Sequence, residues 1–297
     1  MSKLNPLFRA TAQIIAALLA VAVMAALTRL ALLPALQGLL HLDDNALSYV
    51  RRGLMLLAFA LGYWGYVRWV EKRPAFELSP ALGTILLTGM GGAALIGLPV
   101  AFLYLTGNYQ LVGTGGFGGM AGVAMVILAA AMFEEVVFRG IAFGIVERHF
   151  GSWAALFVPT VVFSAAHIFN AHWGGWLSFA TGVTIGGIWT LTYMLTRNLW
   201  AVMLNHALWN FTIFATGLPL TGMQDWRELA PLRSEVRGPD WMSGGLAGPE
   251  DTVLMLVVSS LAVFVLLLIA RRRGQFRPAG SGAAMVQHES RTQAGAG

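Results

Sequence analysis

Apolar runs long enough to cross a bilayer recur along nearly the whole chain, and no other feature restricts its fold as strongly. They lie at about residues 10–27, 53–67, 82–105, 118–146, 153–168, 177–195, 199–216 and 252–270. A membrane-spanning helix needs roughly 17 to 25 such residues. The expected fold class is therefore all-α, a polytopic transmembrane helical bundle of about eight spans. Composition points the same way: 57% of the 297 residues are hydrophobic, 11% are charged, and the mean hydropathy is +0.68. Soluble globular domains carry about twice that share of charge. With no cysteine in the chain, disulfides, thiolate zinc sites and a cysteine nucleophile are excluded together.

The first run follows Lys3 and Arg9 and so begins like a signal peptide, but it exceeds the roughly 7 to 15 apolar residues of such a segment. It reads as a retained first helix. The net charge of +5 does not mark a nucleic-acid partner, because the basic residues sit at the ends of apolar runs and in the tail. Eight spans place twelve of them on the side of the N-terminus and six opposite, Arg29, Arg51, Arg52, Arg227, Arg233 and Arg237. The positive-inside rule then makes both termini cytoplasmic, in what is expected to be a bacterial inner membrane. The expected partners are the lipid bilayer and a membrane-associated substrate.

The runs divide the chain into N-terminal helices (1–117), a motif-bearing core (118–216), a non-cytoplasmic loop (217–251), a last helix (252–270) and a disordered cytoplasmic tail (271–297). Gly89, Gly91 and Gly92 give the third span the small residues that let membrane helices approach closely. The glycine-rich stretch Gly113 to Gly119 lacks the Lys-Ser/Thr and the flanking strand of a phosphate loop, and reads as a flexible outer loop.

Within the fourth run stand Glu134, Glu135 and Arg139. Ionisable groups inside a membrane span are costly and mark a site by default. Glu135 and Arg139 are i,i+4 neighbours that can pair on one helix face, which leaves Glu134 about 100° away and free. The fifth run carries Phe163 and His167, and the seventh His206 and Asn210, again four apart. At about 1.5 Å per residue, Glu134, His167, His206 and Asn210 lie roughly 18, 21, 11 and 17 Å from the inner ends of their helices, so they can meet at one depth. A carboxylate beside a neutral imidazole in a low-dielectric cavity can take a proton from water, and His206 with Asn210 can donate to an oxyanion. Taken singly, the ion pair reads equally well as structural glue, and each histidine or the asparagine as an interhelical hydrogen bonder. The functional case rests on the set.

These residues carry a resemblance. Glu134-Glu135-x-x-x-Arg139, Phe163-x-x-x-His167 and His206-x-x-x-Asn210, in that order on three spans, resemble the three signature motifs of the CPBP family of CAAX prenyl endopeptidases and bacteriocin-processing proteins, also called ABI proteins. The resemblance covers about residues 118 to 216. It implies an intramembrane endopeptidase in which Glu134 and His167 activate the attacking water, His206 and Asn210 stabilise the oxyanion, and Glu135 and Arg139 support the site or contact substrate. It implies a metal-free glutamate mechanism with no cofactor. The alternative is zinc held by Glu134, His167 and His206, a legitimate catalytic set, although the helical His-Glu-x-x-His signature is missing. From other classes, a proton-coupled carrier would also place Glu, Arg and His in its spans, but no paired broken helices are readable. A non-catalytic scaffold or immunity protein would keep the fold alone.

Overall fold

The computed structural model describes residues 5–170 and 172–280. Eight helical runs make up the body: α1 (Pro6–Leu40), α2 (Asp44–Val70), α3 (Leu82–Leu105), α4 (Met120–Glu135, continued by a π-helical stretch Val136–Phe143), α5 (Gly144–His167), α6 (Trp176–Thr196), α7 (Leu199–Ala215) and α8 (Val253–Arg272). The chain is an integral membrane protein with an all-α, polytopic bundle. Among the described residues, five stretches are long and apolar enough to cross a membrane: Pro6–Leu40, Asp44–Val70, Leu82–Leu105, Met120–His167 and Val253–Arg272. The longest of these contains two runs. Gly151, at φ 83° and ψ 169°, breaks it, so the descending run ends before Gly151 and residues 152–167 return.

The two helices outside that set, α6 and α7, are the inner ones. Protein rather than lipid surrounds them, and α6 is buried almost continuously from Ile185 to Met194. Burial against protein lets them carry Thr, Asn and His that a lipid-facing helix excludes. The outer helices show the opposite pattern. Leu87, Met90 and Leu98 on α3, Phe157 and Val162 on α5, and Leu261 and Phe264 on α8 leave large apolar side chains uncovered, a belt that only lipid can cover.

Glycine sets the closest approach in the bundle. A Cβ on Gly92 would stand 2.2 Å from the Asn205 carbonyl oxygen, and one on Gly89 2.8 Å from Leu204, whereas Gly91 has nothing nearer than 3.9 Å. Through that contact α3 grips α7, and Asn205 Nδ2 donates to the Thr88 carbonyl at 2.6 Å.

The two ends of the bundle differ. One gathers the start of α1, the end of α2, the break at Gly151 within α5, the α6–α7 turn and the segment after α8. Here Arg197 donates to both oxygens of Glu147, at 2.9 Å to Oε1, Arg148 pairs with Glu71, and His149 meets Gln13 at 2.9 Å. The segment after α8 folds back on this end. Ser152 N donates to the Arg277 carbonyl at 3.0 Å, Arg277 N donates to Ser152 Oγ at 2.9 Å, and Phe276 lies 4.4 Å from Trp153, centroid to centroid. The tail is thus docked as far as it is described, and the part of the expected disordered tail at 281–297 lies outside the described residues.

The other end carries a cap. Strand β1 (Tyr109–Thr114), whose last two residues begin the stretch Gly113–Gly119 expected as a flexible loop, pairs antiparallel with β2 (Leu232–Val236) with a bulge between Leu111 and Gly113. Its partner lies more than a hundred residues away, so no local hairpin signal announced it. Tyr109, buried at the strand start, donates to the Ser243 carbonyl at 2.7 Å, and Arg227 donates to the carbonyls of Gly217 and Ser234, both at 2.9 Å. Together these bonds make the stretch from Gly217 to Asp251 an ordered cover over the bundle.

Candidate active site

The acidic motif straddles the change from α-helix to π-helix. Glu134 and Glu135 close the α-helical part of α4, and Arg139 sits within the π-helical stretch. Such wide turns recur at functional sites. Glu135 and Arg139 are 0% and 1% exposed and face inward. Arg139 Nη1 donates to Glu135 Oε1 at 3.1 Å, its Nη2 donates to the Gly186 carbonyl at 3.0 Å, and its guanidinium lies 4.9 Å from the Phe163 ring centre. This is a buried ion pair whose cation is also tied to α6.

Glu134 points elsewhere, into a cavity of about 310 Å³ that it lines with His167, His206 and Asn210. Glu134 Oε2 stands 3.9 Å from His167 Nε2 and 3.9 Å from His206 Nε2, and this buried oxygen has no hydrogen-bond partner among the described residues. The remaining nitrogens of both rings are engaged. His167 Nδ1 lies 2.8 Å from the Phe163 carbonyl, and His206 Nδ1 lies 2.8 Å from Glu135 Oε1. A carbonyl can only accept, and a carboxylate bonded to Arg139 accepts, so both Nδ1 atoms carry the proton. In the neutral rings each Nε2 then turns a lone pair toward Glu134. A water at ordinary hydrogen-bond distance from Glu134 Oε2 and either Nε2 fits a 3.9 Å spacing.

The zinc alternative can be judged on the same distances. Glu134, His167 and His206 are the right donor types, but donors sharing one tetrahedral zinc lie about 3.3 Å apart. The observed spacings are wider, and no group of three or more His, Asp or Glu among the described residues could hold a metal ion. As placed, the set does not fit a shared zinc.

Residues that the motifs did not single out complete the site. Trp189 of α6 stacks on His206 with centroids 3.7 Å apart and planes inclined by 19°, and its Nε1 donates to Asn205 Oδ1 at 3.1 Å. Asn205 thereby joins α3, α6 and α7 beside the catalytic candidates. From the cap side, Asn170, Trp173, Leu220, Thr221, Trp226 and Glu250 close the cavity. Trp209 is fully buried and donates from Nε1 to Glu250 Oε1 at 2.9 Å. Asn205 had one signal in the sequence, its place beside His206, while the stacking of Trp189 and the closure by the cap depend on contacts between distant segments.

Neither a curated protein nor a solved structure matches the chain. Residues 116–212, about a third of its length, match the model of the family described as type II CAAX prenyl endopeptidase Rce1-like. That segment holds all three motifs, so over this third of its length the integral membrane protein is similar to the CAAX-type intramembrane proteases.

Proposed function

We propose that this chain is an intramembrane endopeptidase of the glutamate type, hydrolysing one peptide bond of a membrane-associated protein, with residues 118–216 as its catalytic core and 217–251 as the cover. The observation that carries the reading is the unpartnered Glu134 Oε2, buried and faced by two imidazole nitrogens at 3.9 Å. Water held there gives its proton to Glu134 while its second hydrogen is accepted by His167 Nε2. The water oxygen adds to the scissile carbonyl carbon, and the carbonyl electron pair moves onto oxygen. Asn210 Nδ2 and His206 hold that oxyanion.

His206 meets a condition in this role. Its Nδ1–H is committed to Glu135, so it donates from Nε2 only when both nitrogens are protonated. Glu135 on one side and the Trp189 ring stacked at 3.7 Å are the partners that such a cation requires. When the tetrahedral intermediate collapses, the carbon–nitrogen bond breaks, and the proton held by Glu134 passes to the leaving amine. Each water supplies hydroxyl to the new acid and hydrogen to the new amine.

Purified protein in nanodiscs with a library of membrane-associated peptides tests the reading. Cleavage by the wild type falls by at least about a hundredfold in Glu134→Gln and in His167→Ala, and it persists in a strong chelator with no zinc bound. Activity lost in the chelator and restored by zinc would overturn the metal-free step. Wild-type cleavage matched by Glu134→Gln would overturn the role of Glu134.

A further inference from the structure

The cavity wall contains an acidic side chain that the proposed hydrolysis does not use. Glu250 lies in the turn Pro249–Asp251, just before α8, is 3% exposed, and lines the same cavity as Glu134. Its Oε1 accepts from Trp209 Nε1 at 2.9 Å and its Oε2 from Thr221 Oγ1 at 2.6 Å. Both donors are neutral. No Lys, Arg or His among the described residues forms an ion pair with it, in contrast to Glu71, Glu77, Glu135 and Glu147, each of which has an arginine.

A carboxylate withdrawn from water normally comes with a counter-charge. The cavity supplies no lysine or arginine for it, and His206, when protonated, is paired with Glu135. The titratable lining is Glu134, His167, His206 and Glu250, since Arg139 is occupied by Glu135 behind the wall. The rest is largely apolar and aromatic, with Trp173, Trp189 and Trp226 presenting rings of the kind that also favour a cation. Next to Glu250, burial pushes the Asp251 carboxyl up, opposed by the Ser178 hydrogen bond and reinforced by the charges of Asp240 and Glu250. The neighbourhood is short of positive charge.

The backbone adds an independent sign. Thr221 donates to Glu250 from a left-handed conformation at φ 50°, an outlier for a β-branched residue. Strain of this kind persists where surrounding structure enforces it and clusters at ligand clamps. Here it fixes the Glu250 carboxylate at the cavity wall.

We infer that Glu250 is a specificity site for a positively charged side chain of the substrate, a lysine or arginine close to the scissile bond. The inference rests on the hydrolase reading for the meaning of "scissile" and on the cavity alone for the binding of the cation. Glu134 and Glu250 line the same cavity of about 310 Å³, so the basic residue lies close in sequence to the bond beside Glu134.

The test uses full-length protein carrying Glu134→Gln, which removes turnover and the competing carboxylate. Its probes are membrane-associated peptides differing only in lysine or norleucine at successive positions. At one position the lysine peptide binds about tenfold or more tighter, and adding Glu250→Gln, which keeps an acceptor for Trp209, brings the ratio near one. Equal binding of both peptides at every position overturns the inference, as does a preference unchanged by Glu250→Gln. The lysine–norleucine comparison needs no change at Glu250, so equal binding overturns the inference even if the double variant does not fold, and Glu250→Ala then serves as the second variant. Failure of the wild type to cleave any peptide, with the binding preference intact, would count against the hydrolase reading alone.

Discussion

Glu134 and Glu135 are adjacent and chemically identical, yet their surroundings give them different work. Each keeps one oxygen without a hydrogen-bond partner, but Glu135 is fully buried between Arg139 and His206, while Glu134 turns its free oxygen into the cavity toward two imidazole nitrogens. Removing the cation from the buried pair leaves an uncompensated charge. Arg139→Gln is therefore expected to destabilise the fold by roughly 3–5 kcal/mol, read as a lowered unfolding midpoint in detergent. Asn210→Ala acts on chemistry alone, lowering kcat by about a hundredfold with KM nearly unchanged; a change confined to KM would remove Asn210 from the oxyanion role. Much at this scale was legible in the sequence, because the i,i+4 spacing of Glu135 and Arg139 is a local property of a helix. The stacking of Trp189 on His206 and the hold of Glu250 on Trp209 were not, because each joins residues whose proximity only the folded bundle creates.

Among the elements, α7 is the one on which the site depends, since it carries His206 and Asn210 and is set against α3 by glycine. Gly92→Ala places a methyl group where the Asn205 carbonyl stands, at 2.2 Å, while Gly91→Ala meets nothing nearer than 3.9 Å. The first is expected to cost about 1–3 kcal/mol of stability and to lower cleavage by moving α7, and the second to change neither. Thermal unfolding and peptide cleavage of the two variants check this, and equal effects would remove the close contact as the cause. The glycine run in the third span pointed to close packing, although the sequence did not say which glycine faces the partner. The π-helical stretch Val136–Phe143 had no sequence signal, since its composition suits an ordinary helix equally. Strand β1 was missed because its pairing with β2 is long-range, and a short segment that runs into the glycines from Gly113 to Gly119 reads as a loop until its partner is known.

Over the whole molecule, the eight runs follow from hydropathy with little loss, and the inner position of α6 and α7 lets them carry Thr, Asn and His among their apolar residues. The bundle has one end rich in ion pairs, where the tail docks, and one end capped by β1, β2 and the turns around Glu250. The basic residues counted in the sequence concentrate at the first, which the positive-inside rule leads us to expect on the cytoplasmic side. Because the chain has no cysteine, single cysteines can report sidedness cleanly. In intact cells Leu246→Cys in the cap is expected to react with a membrane-impermeant thiol reagent, and Ala279→Cys only after permeabilisation; the reverse pattern would invert the topology.

Cleavage in water enriched in oxygen-18 tests most directly whether Glu134 activates water within the membrane. With wild-type protein in nanodiscs and a membrane-associated peptide, mass spectrometry should find one heavy oxygen in the new carboxyl terminus, and no product with Glu134→Gln. A wild type that leaves every peptide intact, or a Glu134→Gln variant that yields the same labelled product at the same rate, would contradict the account.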